Sequence, residues 1–180
     1  MTTIIGLEYK DRCFIVADSQ TTDEGGRIYT HPEVEKISAN GSFLIAGSGE
    51  TLPCDIAQHI WESPVPTKQD KEDLYRFMIR KAMPSLRKCM TENGYNFDED
   101  TKETRFQFII AVGGEIFDVD QELSISKSAD GVYAAGSGAP YALGAIHAGA
   151  DAYEAMEIAS KLTAFTAGPY ISREQPRRIK

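Results

Sequence analysis

The order of apolar patterns along the chain limits its architecture more than any other feature. Residues 3–9 and 13–18 are β-rich runs joined by Lys10-Asp11-Arg12, the spacing of a hairpin. A turn at Gly25-Gly26, a short run at 34–38 and an Asn40-Gly41 turn into 42–46 extend this into a meander of antiparallel strands. Two helical stripes follow. Residues 50–62 carry Ile56, Ala57, Ile60 and Trp61 on one side and stop at Ser63-Pro64-Val65-Pro66-Thr67. Residues 70–90 repeat Leu74, Met78, Ala82, Leu86 and Met90 at every fourth position, with Pro84 predicting a kink or break. Residues 93–103 are polar and read as a loop, with Asp98-Glu99-Asp100 as a solvated acidic patch. The block then repeats: 105–112 (RFQFIIAV) is the most apolar strand, Gly113-Gly114 turns it into 115–119, and 131–135 is another short strand. From Pro140 the chain turns helical and alanine-rich, and Ala155, Ile158, Ala159 and Leu162 mark a further amphipathic helix.

Strands, two helices, strands, two helices is a segregated order. It predicts an α+β fold rather than an alternating parallel sheet. A four-layer αββα sandwich, two antiparallel sheets with helices on each outer side, buries every apolar face. No linker, repeat or low-complexity tract divides residues 1–180, so a single domain is expected.

Charge and cysteine usage exclude several functions. The formal net charge is −8, and the basic tail Arg177-Arg178-Lys180 is short, so the clustered positive charge that nucleic acid requires is missing. Cys13, Cys54 and Cys89 are odd in number, widely spaced and form no C-x-x-C pair, which predicts a reduced, cytoplasmic protein. His31, His59 and His147 show no metal-ligand spacing, and neither metal nor cofactor is expected. The apolar run at 3–7 is too short for a signal peptide or a membrane span.

Several segments share an order and spacing with one known family. They are Met1-Thr2-Thr3-Ile4-Ile5-Gly6, Phe14-Ile15-Val16-Ala17-Asp18-Ser19, Val34-Glu35-Lys36-Ile37, Leu44-Ile45-Ala46-Gly47 and Ala135-Gly136-Ser137-Gly138. Together they resemble the proteasome β-subunit and HslV-like family of N-terminal nucleophile hydrolases. The resemblance implies the same four-layer sandwich. It also implies a threonine endopeptidase working inside stacked homo-oligomeric rings on peptides or unfolded protein, with an ATP-dependent unfoldase as partner. The helices at 50–62 and 70–90 would be ring contacts.

The chemistry that the resemblance assigns suits these residues. A threonine hydroxyl needs a base to take its proton. At a free N-terminus the residue carries that base, an α-amine with an unperturbed pKa of roughly 8. Thr2 would be this nucleophile once Met1 is removed; otherwise Met1-Thr2 simply begins a strand. Lys36 matches the family's buried lysine, which favours the neutral amine. Asp18 matches the carboxylate that holds it; in isolation the two residues read rather as a surface ion pair, or as no pair at all. Gly47 matches the glycine whose N–H stabilises the oxyanion, with Gly49 as its rival in a shifted alignment. Ser137 matches the serine beside the threonine amine, although Gly-Ser-Gly also makes an ordinary strand-to-helix turn. Gln20, Thr21, Thr22 and Ile45 correspond to the substrate pocket.

One departure stands out. The family places an acidic residue and a hydroxyl after the last core helix. Thr166 supplies the hydroxyl, but the acidic position falls on Thr163, and no Asp or Glu lies between Glu157 and Glu174. This opens a second reading, an inactive proteasome-like structural or binding ring. A third, an amidohydrolase of the same superfamily acting on a small amide, fits the chain length, Lys36 and the GSG pattern less well.

Overall fold

The computed structural model describes residues 2–23, 25–29, 35–97 and 105–177. Met1, Val34, the Asp98–Asp100 patch and the Arg178–Lys180 part of the basic tail lie outside the described residues.

Two sheets form the centre. In the first, strands β1 (Thr3–Glu8), β2 (Arg12–Ala17), β10 (Val132–Gly136) and β11 (Ile171–Pro176) lie in the order β10-β1-β2-β11. In the second, β5 (Ile37–Asn40), β6 (Phe43–Gly49), β7 (Phe106–Val112), β8 (Glu115–Val119) and β9 (Ile125–Ser126) follow one another in chain order. Every pairing is antiparallel. A two-stranded ribbon, β3 (Thr21–Thr22) with β4 (Ile28–Tyr29), stands apart.

Alternation along the strands sorts the apolar residues into three layers. Ile4, Ile15, Ala17, Leu44, Ala46, Ile109, Ala111, Ile116 and Ala135 meet between the two sheets. Ile5, Leu7 and Val16 face outward onto Ala142, Ala155, Met156 and Ala159 of the helices α4 (Ala139–His147) and α5 (Ala152–Leu162). Phe43, Ile45, Phe108, Ile110 and Phe117 leave the other side of the second sheet. They are covered by α1 (Thr51–Asp55), α2 (Leu74–Phe77) and α3 (Met83–Glu92). Helix, sheet, sheet, helix is the predicted αββα order.

The segment 70–92 shows what Pro84 does. A proline lacks the N–H for an α-helical bond, and its ring crowds the carbonyl four residues back, here that of Arg80. The helix widens into a π-turn at Met78–Ala82 immediately before α3, which carries Pro84 in its first turn. The predicted break is therefore a change of helical pitch, and Leu74, Met78, Ala82, Leu86 and Met90 all stay in the core. The first stripe behaves similarly: α1 carries Pro53 and passes into a π-turn at Ile56–Ile60 that ends at Trp61. Helix α5 is fixed at its start by a capping box between Asp151 and Glu154, worth about 1 kcal/mol.

Several elements differ from the sequence reading, among them the short strands β3, β4 and β9, which it does not contain. The strand expected at 34–38 is Ile37–Asn40, and the strand expected at 42–46 runs on to Gly49. The strand β11 was not anticipated at all. Ile171-Ser-Arg-Glu-Gln-Pro is polar because it is an edge strand beside β2, and edges carry charge and proline where a central strand cannot.

Candidate active site

The β1–β10 register places the chain start against the Gly136-Ser137-Gly138 turn, with Thr3 opposite Gly136. Thr2 itself is buried. Gly136 has φ +87°, and a Cβ there would stand 2.1 Å from the Thr2 carbonyl oxygen. Only glycine lets the two backbones approach so closely. The same carbonyl has long contacts to the Gly138 N–H (3.5 Å) and to the Ser137 hydroxyl (3.4 Å).

Asp18 follows the last residue of β2 and is fully buried. Its Oδ1 accepts the Thr3 amide N–H at 2.9 Å and the Lys36 ammonium, also at 2.9 Å. Its Oδ2 accepts the Gln20 N–H at 3.1 Å. Lys36 also donates to the Gln20 carbonyl at 2.5 Å. Thr3 N and Lys36 Nζ therefore share one carboxylate oxygen, which places the ammonium within two hydrogen-bond lengths of the peptide bond that follows Thr2. The Lys36 side chain is only 11% exposed, and burial pulls its pKa below that of an ordinary lysine, with Asp18 opposing the shift. The structure brings Asp18 and Lys36 together as a buried pair beside the chain start.

A cavity of about 280 Å³ opens beside Thr2, walled by Ser48, Gly49, Phe106, Gln107, Gly136 and Ser137. Gly47 is not in its wall. Its N–H donates to the Lys36 carbonyl at 3.2 Å, and a Cβ there would stand 2.6 Å from Cys54 Sγ on the helix-facing side. The N–H expected at the oxyanion is thus engaged by the Lys36 carbonyl. Gly49 is the glycine facing the cavity. Ser48 pairs with Gln107, and Glu50 N–H donates to the Arg105 carbonyl, so alternation turns the Gly49 N–H away from β7.

The four residues expected in the substrate pocket lie away from the Thr2 cavity. Ile45 is fully buried among Phe43, Ile110 and the helices, because it shares the helix-facing side of β6 with Phe43. Gln20 points elsewhere: its Nε2 donates to Thr22 Oγ1 and to the Ala164 carbonyl, both at 2.9 Å. Thr21 and Thr22 lie in the separate ribbon, and none of these four residues walls the Thr2 cavity. Thr166 is buried, but its hydroxyl pairs with that of Thr3 at 2.5 Å rather than with Ser137. Thr163 accepts the Phe165 N–H.

Some supporting residues escaped the sequence reading. Gln58, buried in the π-turn, donates to the carbonyls of Lys36 (2.9 Å) and Ile45 (3.0 Å) and so fixes the backbone that carries the lysine. Ser19 donates from its hydroxyl to the Pro169 carbonyl at 2.6 Å and from its N–H to the Ala167 carbonyl, which ties the loop after α5 to the Asp18 corner. Gln107 walls the cavity; the signal for it was present, because it is the one polar residue in the run 106–112.

Sequence comparison finds no matching family model and no matching curated protein. Structural comparison does. The bacterial proteasome homologue BPH of Thiobacillus denitrificans superimposes with a TM-score of 0.76 at 24% identity, over 99% of this chain and 100% of that one. The same protein in complex with epoxomicin gives 0.76 at 23% identity, over 98% and 100%. HslV from Trypanosoma brucei gives 0.63 at 19% identity, over 96% and 98%. The chain has, over nearly its whole length, the α+β fold of the proteasome and HslV-like proteins.

Proposed function

We propose that the protein is a threonine peptidase subunit in which Thr2, freed by removal of Met1, attacks the scissile carbonyl with its own α-amine as base. The observation that carries this reading is the buried Lys36–Asp18 pair, whose shared oxygen also holds the amide of Thr3. A cation so placed lowers the pKa of the neighbouring amine and eases loss of the hydroxyl proton. That proton passes from Thr2 Oγ1 to the amine, the oxygen forms an ester with the substrate acyl group, and the departing peptide amine takes the proton. Water then hydrolyses the ester by the reverse transfer. The Gly49 N–H is the donor best placed for the oxyanion, and Ser137 stands beside the Thr2 carbonyl.

Self-association into stacked rings belongs to this reading, as does an ATP-dependent unfoldase partner. Exposed Leu52, Ile60, Tyr75 and Ile79 on the first helical layer, and Tyr141, Tyr153, Ile158 and Leu162 on the second, supply apolar surface for such contacts. Among the described residues no helix is long and apolar enough to cross a membrane. Since BPH of T. denitrificans was seen in complex with epoxomicin, the Thr2 cavity is proposed to take the same compound.

The test is turnover of a fluorogenic peptide panel by the Met1-free protein and by Thr2→Ala. Cleavage that disappears in the variant, with its fold intact by circular dichroism, supports the reading; equal cleavage by both removes it. A second reading, a ring without turnover, is favoured by the Thr166–Thr3 hydroxyl pair, which leaves Ser137 without that partner. No peptide cleavage by a Met1-free, correctly folded protein would select it, and cleavage of small amides alone would select the third.

A further inference from the structure

The inner face of the second sheet is apolar along most of its length and turns polar at one end. Leu44 and Ala46 of β6, Ile109 and Ala111 of β7, and Ile116 of β8 pack between the sheets. Alternation places Ser48, Gln107 and Asp118 next on the same face of these three strands. Ser48 lies directly opposite Gln107, and Asp118 opposite Ile109. Inward-facing sheet positions that carry amide and carboxylate groups are costly unless those groups are used. This polar row ends at the cavity beside Thr2, which both Ser48 and Gln107 wall.

The hydrogen bonds fix which way Gln107 points. Its Nε2 donates to Asp118 Oδ1 at 2.7 Å. An ionised carboxylate can only accept, so Asp118 selects the NH₂ end of the amide and leaves Oε1 for other donors. Ser48 cannot be that donor, since its hydroxyl goes to the Gln107 backbone carbonyl at 3.2 Å. On its other side Gln107 borders a second cavity of about 320 Å³ walled by Asp120, Gln121 and Glu122. The carboxylate in contact with the amide is that of Asp118, and the second cavity adds Asp120 and Glu122, with the Arg87 guanidinium on the Glu122 carbonyl.

We propose that Gln107, oriented by Asp118, is a specificity-determining residue that accepts a hydrogen bond from a substrate side chain bearing an N–H donor next to the scissile bond. It deepens the peptidase reading, on which it rests for the role of Thr2. Asp118 acts through Gln107 and is a positioning residue. Acidic side chains are disfavoured by the Asp118 carboxylate that holds Gln107, and apolar ones leave the amide oxygen unpaired.

The test compares peptides that carry Gln, Lys, Met or Glu at each position flanking the scissile bond. At one of these positions the protein is expected to favour Gln over the similarly long Met by about tenfold in kcat/KM, with Lys also favoured and Glu disfavoured. Gln107→Leu removes the Gln–Met difference. Asp118→Asn leaves Gln107 in place but frees its amide to turn, so the ratio of Gln to Met cleavage falls towards parity. A structural role for Asp118 would lower both peptides together. The same peptides are titrated onto Thr2→Ala by fluorescence anisotropy. A Gln-over-Met preference in binding that Gln107→Leu abolishes supports the assignment even where turnover is absent. Equal binding of Gln and Met peptides, or a preference that survives Gln107→Leu, overturns it, whereas loss of Thr2-dependent turnover alone speaks only against the peptidase reading.

Discussion

Replacing Asp18 by asparagine probes the buried pair that anchors the candidate site. The wild-type carboxylate is fully buried and accepts from Thr3 N, Lys36 Nζ and Gln20 N, using both oxygens. Asparagine keeps one oxygen and presents an NH₂ group where the other stood. More importantly, it removes the negative charge beside an ammonium that is 11% exposed. Breaking a buried pair from one side costs about 3–5 kcal/mol, because the remaining charge is left without compensation. For a chain of this size that corresponds to a fall in Tm of roughly 6 to 20 °C. The sign of the pH dependence follows from Lys36. Burial already lowers its pKa and Asp18 opposes the shift, so the variant lysine lies lower still. Below that folded pKa both states carry the proton and the penalty is complete. Above it the folded lysine is neutral while the unfolded one stays charged up to about 10.4, so stability rises with pH. Urea unfolding followed by the fluorescence of the single tryptophan, Trp61, which is 3% exposed, reads both effects. Asp18→Asn is expected to be severely destabilised at pH 6.5 and to recover part of the loss at pH 9.5. Adding Lys36→Met to it should restore stability towards wild type, since no unpaired charge then remains. A loss below about 1 kcal/mol that does not change with pH would refute the reasoning, because it would mean that the ammonium is hydrated.

Other expectations follow from the same geometry. Gly49→Ala places a Cβ 2.1 Å from the Arg105 carbonyl oxygen at a residue with φ +101°, so a loss of at least about 2 kcal/mol is expected, read by thermal unfolding. Gln58→Leu leaves the carbonyls of Lys36 and Ile45 without their side-chain donor and should cost about 1–3 kcal/mol; a variant as stable as wild type in urea would contradict the clamp. In the peptidase reading kcat/KM rises with pH along a limb set by the Thr2 amine. The Lys36 charge places its midpoint below the ordinary value of about 8, and Lys36→Met should abolish turnover.

The layer order was legible in the sequence because the apolar periods change from two to four residues and back, and each layer needs an opposite face to bury. Lys36 and Asp18 were legible only through their resemblance to a family, since nothing local distinguishes a buried ion pair from an exposed one. Which glycine borders the Thr2 cavity was not legible. Gly47 and Gly49 turn their N–H to the same side of β6 but differ in what stands there: Gly47 still meets the Lys36 carbonyl just before β5, while Gly49 lies past the β5–β6 pairing, a property of the register that no composition reveals. The placement of Ile45 was hidden for a related reason: one step along a strand exchanges the inner face for the helix-facing one, and Ile45 lies with Phe43 under the helices. The edge strand β11 was hidden because edge strands carry the polar residues that otherwise signal a loop.

The account depends most on the α-amine of Thr2 serving as the base. The direct measurement is peptide turnover by two preparations of equal fold, one with Thr2 as its verified first residue and one in which Met1 is retained, each confirmed by intact mass. The account predicts cleavage by the first and none by the second, because an amide nitrogen cannot take the hydroxyl proton. Equal cleavage by both preparations would contradict it, whatever the fold resembles.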